Sequence, residues 1–277
     1  MLRFIKHILL FTFITAMNSC GNNIATSENN EVNENIIKAP TQLQYEVVKV
    51  YTHDTSSYTQ GLEWYGETLF EGTGNYGKSQ LHKMDANLQS ISKKISLPKE
   101  LFGEGITVFK DKIYQLTWKE HKVLVYNANT LQKEKELYWQ YEGWGLAHND
   151  TALIVSTGGS DIYIVDPNNF AIKKTIGVYN NYGYVSDINE LEYVDGKIFA
   201  NIYGQNEVVV IDPLTGQIIN NINFSNLLAQ AGVKYDPTTI DVGYVLNGIA
   251  YQAKSKTFFI TGKCWPVMVE VLSLIHI

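Results

Sequence analysis

One carboxylate and one ammonium group lie at the boundaries of segments that are otherwise mostly apolar. Glu104 stands directly before the run 105–109, and Lys263 directly follows the run 257–262. A charged side chain is costly to bury in such a place unless it has a partner or a task. A nearby lysine favours the ionised carboxylate, whereas burial among aromatic rings favours the neutral acid. Because a proton shuttle needs access to both forms, Glu104 is a candidate for proton-transfer chemistry.

Glu104 occupies a position that recurs five times along the chain. Each copy opens with a polar or aromatic residue and continues into an apolar segment, and the second residues of the copies are spaced by 44, 40, 45 and 58 residues. The opening residues are Gln60, Glu104, Trp144, Asn189 and Asn247. Most of these intervals are typical of a β-propeller with one blade per repeat. Since the first strand of a blade is innermost, the five side chains should converge on one end of the central channel.

A second ring of side chains is expected at the ends of the second strands. Its members are Thr73, Trp118, Thr157, Tyr203 and Lys263. Both rings together predict a pocket with an acid, a cation, amides and aromatic rings, which suits a small ligand that is partly charged and partly amide-like. The aromatic members could instead fill the inner end of the barrel, and the amides could cap strand ends by bonding the backbone.

The elements that must position these residues are short strands. The third strands of four copies, at 81–85, 123–127, 162–166 and 208–212, are mostly rich in β-branched and aromatic residues and are bounded by turn residues. The fifth copy ends before an outer strand can form, and residues 273–277 do not continue the pattern. We therefore predict an all-β fold, a five-bladed β-propeller whose last blade is completed by the N-terminal strand 45–51.

The N-terminal region predicts export. Residues 1–20 have basic residues, then the apolar run 8–16, and end at Cys20, which is the arrangement of a signal peptide. Cys20 resembles the lipidated cysteine of bacterial lipoproteins, although simple secretion would also fit. Residues 21–43 are polar and predict a flexible tether, followed by one propeller domain at 44–277. We expect a periplasmic or cell-surface monomer that contacts the membrane only through a lipid anchor.

Several classes of function are disfavoured by the composition. The net charge of −6 and the absence of a basic block argue against nucleic acid as a partner. Cys264 is the only cysteine of the expected domain, which excludes an internal disulfide or a thiolate-rich zinc site. Residues 72–79 have the spacing of a phosphate-binding loop, but a strand rather than a helix should follow. We expect neither a metal nor a cofactor.

Motifs in all five copies resemble one known family. Examples are Phe-Gly-Glu-Gly-Ile-Thr at 102–107 and Ile-Asn-Glu-Leu-Glu at 188–192, and the remaining motifs lie at 58–63, 69–79, 115–118, 142–146, 246–250 and 261–266. In this order they are similar to the plant and bacterial glutaminyl cyclases, the glutamine cyclotransferases. The resemblance extends from about residue 45 to residue 271.

This resemblance implies a five-bladed propeller that converts the N-terminal glutamine of peptides or proteins to pyroglutamate and releases ammonia, without a catalytic zinc ion. Glu104 stands at the position of the family's catalytic glutamate, which would take a proton from the substrate amine and deliver one to the departing nitrogen. The residues implied to bind substrate are Gln60, Trp118, Trp144, Asn189, Tyr203 and Lys263. Asn247 is expected to join them because it is an opening residue of the same ring. Tyr203 stands where relatives commonly have tryptophan.

A second hypothesis of a different class stays open at this stage. Propellers often serve as scaffolds, so the chain could be a non-catalytic surface protein that binds peptide N-termini or another small ligand. The two hypotheses differ in what they require of Glu104, which must exchange protons only in the enzyme.

Overall fold

Short apolar segments separated by tight turns form a series of four-stranded antiparallel sheets. The structure, a computed structural model, describes residues 37–85, 87–88, 90–234 and 244–273. The expected signal peptide with Cys20, most of the expected tether and residues 274–277 lie outside these ranges. Within the described part of the chain, no helix is both long and apolar enough to span a bilayer.

Two strands precede the first blade, and three blades follow in chain order. The first two strands are β1 (Thr41–Leu43) and β2 (Tyr45–Thr52). Blade one contains β3 (Thr59–Tyr65), β4 (Thr68–Thr73), β5 (Gln80–Met84) and β6 (Ile91–Ser96). Blade two contains β7 (Gly103–Phe109), β8 (Lys112–Thr117), β9 (Lys122–Asn127) and β10 (Lys133–Tyr138). Blade three contains β11 (Leu146–His148), β12 (Leu153–Ser156), β13 (Asp161–Val165) and β14 (Ile172–Gly177).

The last two blades are separated from their predecessors by longer connections. The hairpin of β15 (Tyr179–Asn180) and β16 (Gly183–Tyr184) precedes blade four, and the helix α1 (Leu227–Gln230) follows it. Blade four contains β17 (Ile188–Val194), β18 (Lys197–Ile202), β19 (Glu207–Ile211) and β20 (Ile218–Asn223). Blade five contains β21 (Leu246–Gln252), β22 (Thr257–Gly262) and β23 (Val267–Ser273). The sequence pattern predicted the blades but neither the hairpin nor the helix.

The inner strands β3, β7, β11, β17 and β21 contact one another in a circle, so the all-β fold is a five-bladed propeller. Their close approach explains the glycines after the opening residues. A Cβ atom on Gly145 would lie 1.9 Å from the backbone oxygen of Asn189, and one on Gly105 would lie 2.5 Å from that of Trp144. Only a residue without a side chain fits these positions.

Apolar side chains from neighbouring blades form the core between them. In one cluster Phe70 and Leu81 of blade one pack with Ile106 and Leu124 of blade two. All residues of β7 are buried, whereas most residues of the outer strand β6 are exposed. The interior of the ring is therefore the region where polar side chains are hardest to accommodate, and each one there requires an explanation.

The N-terminal strands lie on the outer edges of two different blades. Strand β2 is antiparallel to β23 in blade five, with Tyr45 opposite Ser273. Strand β1 is parallel to β20 in blade four, with Thr41 opposite Asn220. The expected tether 21–43 is therefore too long at its end, because residues 41–43 form this strand. Without β1, the outer edge of β20 would present unpaired backbone groups. Strand β1 pairs with this edge, and Leu43 also packs against a buried apolar cluster.

Candidate active site

A cavity of about 260 Å³ lies where the opening residues of the inner strands meet the ends of the second strands. Its lining residues are Tyr58, Gln60, Asn75, Phe102, Glu104, Trp118, Trp144, Asn189, Tyr203 and Lys263. The cavity therefore contains every expected catalytic or substrate-binding residue except Asn247. Blades one to five all contribute at least one side chain to it.

Gln60 is the centre of a buried polar network that joins three blades. Its Nε2 donates a hydrogen bond to Oε1 of Glu104 over 3.1 Å. Its Oε1 accepts one from Nζ of Lys263 over 2.6 Å and one from Nδ2 of Asn247 over 3.3 Å. All four side chains are at least 95% buried, so these bonds form with little competition from water.

The two charged members of this network have opposite responses to burial. Burial raises the pKa of Glu104 well above its usual value, the nearby Lys263 ammonium opposes that rise, and Glu120 and Glu142 add to it. Burial lowers the pKa of Lys263 to about 8, although Glu104 opposes this shift. A neutral acid and a lysine that titrates near neutral pH are suited to proton transfer.

Two tryptophans form walls of the cavity, and one carboxylate holds both of them. Glu142 Oε2 accepts hydrogen bonds from Nε1 of Trp118 over 2.8 Å and from Nε1 of Trp144 over 3.3 Å. Lys119 places its Nζ 3.8 Å from the centre of the Trp118 ring and 3.7 Å from Oε1 of Glu142. The orientation of both indoles is thus fixed from the rim of the pocket.

Tyrosines surround the lysine on the other side of the cavity. The Nζ atom of Lys263 lies 4.7 Å from the ring centre of Tyr58 and 5.2 Å from that of Tyr203. Tyr203 also meets Trp144 edge to face, with ring centres 5.7 Å apart. These rings stabilise the ammonium through cation–π contacts. Tyr203 thus lies in the aromatic wall, as the resemblance implied.

Three residues of the expected rings do not line the cavity. Asn247 lies behind Gln60 and donates from Nδ2 to the backbone oxygen of Thr59 over 3.0 Å as well as to Gln60. Asn247 is fully buried and is not among the lining residues, so its expected contact with substrate stays a prediction. Thr73 is buried and bonds the backbone of Gln80. Thr157 lies outside the lining residues.

Sequence reasoning missed Tyr58, Asn75 and Phe102 in the lining and Glu142 as the anchor of the indoles. A signal for three of these was available. Tyr58, Phe102 and Glu142 each lie two residues before an opening residue, and side chains two apart in an extended chain point to the same side. Asn75 lies in the turn between β4 and β5, where residues 72–79 have the phosphate-loop spacing but open no helix.

A second set of buried carboxyls lies in the interior of the ring on the same inner strands. This interior cluster consists of Glu63, Thr107, His148, Glu190 and Glu192. Oε1 of Glu190 accepts the backbone N–H of Leu62 over 3.2 Å, and its Oε2 accepts that of Ile249 over 2.9 Å. Thr107 Oγ1 lies 3.1 Å from Oε2 of Glu63 and 2.8 Å from Nδ1 of His148. Each carboxyl of this cluster is 91% buried or more.

A third polar cluster fixes the segment that leads to Tyr58. Glu71 bonds Nε2 of His53 over 3.0 Å and Nδ1 of His82 over 3.2 Å, and it also accepts from Oγ1 of Thr59. Burial alone would raise the pKa of Glu71, but the two histidines lower it. Across the described ranges, no group of three or more histidine, cysteine, aspartate or glutamate side chains is arranged to hold a metal ion.

The fold and the pocket define a five-bladed propeller with a small reactive cavity at one end of its axis. The sequence model described as glutamine cyclotransferase matches residues 16–272. Glutaminyl-peptide cyclotransferase of Arabidopsis thaliana is 34% identical over 230 residues, which cover 82% of this chain and 71% of the relative. The crystal structure of Myxococcus xanthus glutaminyl cyclase superposes with a TM-score of 0.76 at 31% identity and covers 84% of this chain and 98% of that one. This chain belongs to the glutamine cyclotransferase family.

Proposed function

We propose that this protein is a glutaminyl-peptide cyclotransferase, which closes the N-terminal glutamine of a peptide or protein into pyroglutamate and releases ammonia. The observation that carries the proposal is the position of Glu104, a buried acid that lines the cavity and is bonded to Gln60. The relatives named for this activity support it. At about 260 Å³, the cavity is smaller than the range of roughly 300–1,000 Å³ typical of drug-sized ligands.

Binding would place the glutamine side chain between the aromatic walls. Trp118 and Trp144, held by Glu142, would pack against its methylene groups and keep the chain folded toward its own amine. Oδ1 of Asn189 is buried and has no hydrogen-bond partner among the residues that the structure describes, and it would accept an N–H of the substrate's side-chain amide. Holding the two reacting groups in contact makes the step intramolecular, which can account for roughly 7–11 kcal/mol of a barrier.

The chemistry would proceed through a tetrahedral intermediate. The neutral α-amine attacks Cδ, the carbonyl carbon of the side-chain amide, a C–N bond forms, and the carbonyl π electron pair moves to the oxygen. Lys263, which spends one of its three donors on Gln60, is placed to stabilise that oxyanion. A positioned donor of this kind typically contributes about 3 to 4 kcal/mol.

Glu104 would then transfer protons in both directions. In its neutral form it gives a proton to Nε2 of the substrate amide, the bond between Cδ and that nitrogen breaks, and ammonia leaves. The carboxylate so formed takes the proton from the new ring nitrogen and returns to the acid. Burial raises the pKa of Glu104 and so favours this acid form.

The test is ammonia release from a glutaminyl peptide, with the wild type compared with Glu104→Gln. We expect turnover by the wild type and, in the variant, binding without turnover. Binding of the peptide by both proteins with no ammonia from either would contradict the proposal and favour a non-catalytic binding propeller. Circular dichroism spectra of both proteins control for the fold.

We also propose that the protein is exported and anchored as a monomer by a lipid on Cys20. The support is the sequence pattern of residues 1–20 and the polar segment that follows. Expression in a bacterium with a lipoprotein pathway should give a detergent-soluble protein whose N-terminal fragment carries acyl chains. Cys20→Ser should abolish the acylation. An acyl-free wild type released into the medium would instead indicate simple secretion.

A further inference from the structure

We propose that Asn247 is a positioning residue that locks the Gln60 amide in one orientation and thereby confines the mobile proton of Glu104 to Oε2. The catalytic consequence of this inference rests on the proposed function. The geometry rests on four hydrogen bonds among buried groups of blades one, two and five.

The orientation of the Asn247 amide is set by a backbone carbonyl oxygen, which can only accept hydrogen bonds. Nδ2 of Asn247 donates to the carbonyl oxygen of Thr59 over 3.0 Å. If the Asn247 amide were reversed, its own oxygen would face that carbonyl, and two acceptors would oppose each other. Nδ2 is therefore fixed on this side, where it also reaches Oε1 of Gln60 at 3.3 Å.

The fixed Asn247 amide in turn fixes the orientation of the Gln60 amide, which contacts Glu104. Its Oε1 faces two donors, Nδ2 of Asn247 and the ammonium of Lys263, and a carbonyl oxygen has two lone pairs to offer. A reversed Gln60 amide would place its NH2 group against both donors. The NH2 group is thus directed to Glu104, where it donates to Oε1.

The consequence for Glu104 concerns which oxygen carries its proton. An amide NH2 can donate but cannot accept, so Oε1 of Glu104 must accept. The neutral carboxyl then has its O–H at Oε2, and both proton transfers in the proposed reaction use this oxygen. A carboxyl with a fixed O–H needs no rotation between taking up a proton and releasing it.

Lys263 and Asn247 share the task of holding the amide, but only one of them titrates. Burial lowers the pKa of Lys263 to about 8, and a neutral amine can accept as well as donate. Above this pH only Asn247 keeps the orientation. The titratable groups that act on the Glu104–Lys263 pair are Tyr58, Tyr76, Glu120, Glu142, Tyr203 and Cys264.

Two substitutions of Asn247 separate this role from a structural one. Asn247→Asp keeps the shape but presents only acceptors when ionised, so it should reverse the Gln60 amide. Asn247→Leu changes the shape more but leaves Lys263 as an anchor. We expect kcat to fall about 100-fold in Asn247→Asp, within the range for general acid–base catalysis, and about fivefold in Asn247→Leu, as for one lost hydrogen bond. A merely structural role predicts the opposite order.

The pH profile gives a second measurement on the folded Asn247→Leu variant. Its kcat should decline relative to that of the wild type above about pH 8, where Lys263 loses its proton. Asn201→Leu is the matched control, because Asn201 is buried and bonds the neighbouring Gly248 N–H without touching Gln60. It should lose stability but keep the alkaline limb of the wild type. If kcat of Asn247→Leu and of the wild type declined in parallel above about pH 8, the proposal would be overturned.

Nuclear magnetic resonance without substrate tests the orientation independently of activity. In the wild type the Nε2 protons of Gln60 should show Overhauser contacts to the γ-protons of Glu104, and in Asn247→Asp to the β-protons at position 247. Wild-type contacts to Asn247 and Lys263 instead would refute the orientation. If these contacts are as expected but the wild type releases no ammonia, the proposed function fails and the amide orientation stands.

Discussion

The pocket network and the interior cluster both bury carboxyls on the inner strands of the ring, yet they differ in their partners. Glu190 binds the backbone N–H groups of Leu62 in blade one and Ile249 in blade five. Glu104 has a side-chain partner and lines a cavity. Burial raises the pKa of both groups, so a raised pKa alone does not distinguish a reactive acid from a structural one. The distinction lies in whether the carboxyl connects strands or faces an open space.

The largest expected effect, Glu104→Gln, tests the reactive side of this comparison. The amide can bond Gln60 but cannot shuttle a proton, so kcat should fall about 10³-fold or more. The urea denaturation midpoint should change little, since the substitution removes a group that is costly to bury. Residual turnover above a tenth of the wild type would show that another group moves the proton.

Glu190→Gln tests the structural side and should have the reverse signature. An amide has a single oxygen, so one of the two backbone N–H groups would face an NH2 group. Leaving a buried donor without an acceptor costs about 1 to 3 kcal/mol of unfolding free energy. Urea denaturation should detect this loss, while kcat of the folded fraction stays near that of the wild type. A large fall in kcat of Glu190→Gln would show that Glu190 also contributes to catalysis, so the two sets of carboxyls would not differ in function.

The pH dependence of stability should follow the interior cluster. Burial raises the pKa of Glu63 from the usual 4.5 to about 8, so its contribution to stability is complete below about pH 4.5 and is lost as the pH rises through about 8. The urea midpoint should therefore fall as the pH rises from about 4.5 to about 8 and should level off above that. Glu63→Gln should flatten that fall, whereas Glu67→Gln on an exposed turn should not.

The smallest effect is expected at the rim of the pocket. Glu142→Ala would remove the acceptor of both indoles, so KM should rise about fivefold, as for a lost hydrogen bond. The change in kcat should be smaller, because Glu142 acts on Glu104 only through its charge, while its hydrogen bonds are to the indoles. Glu67→Ala is a control for the loss of a surface charge. An unchanged KM would show that packing alone orients Trp118 and Trp144.

The sequence predicted the fold more completely than it predicted the site. Repeated strand patterns predicted five blades, and the position of Glu104 before a run of buried residues singled it out. The strand at 41–43 was missed because its pairing depends on an exposed edge of β20, which leaves no periodic signal in so short a segment. The hydrogen bond from Asn247 to Gln60 was not predicted, because an opening residue can face either the cavity or its neighbour and the sequence does not decide between them.

The connections across blades were the least predictable part of the site. Glu142 is separated from Trp118 by 24 positions, and Asn247 from Gln60 by 187. Each bond depends on the distance between two blades, which arises from packing along the whole ring. Residue types alone indicate that such groups need partners, and the tertiary structure selects them.

The pairing of β2 with β23 has a consequence for the order of events during synthesis. Tyr45 emerges from the ribosome among the first residues of the domain, but its partner Ser273 follows 228 positions later. At roughly 5 to 20 residues per second, this delay lasts on the order of 10 to 50 seconds. Throughout that interval β2 has no partner, and a chaperone that covers an exposed edge would have the greatest effect on yield.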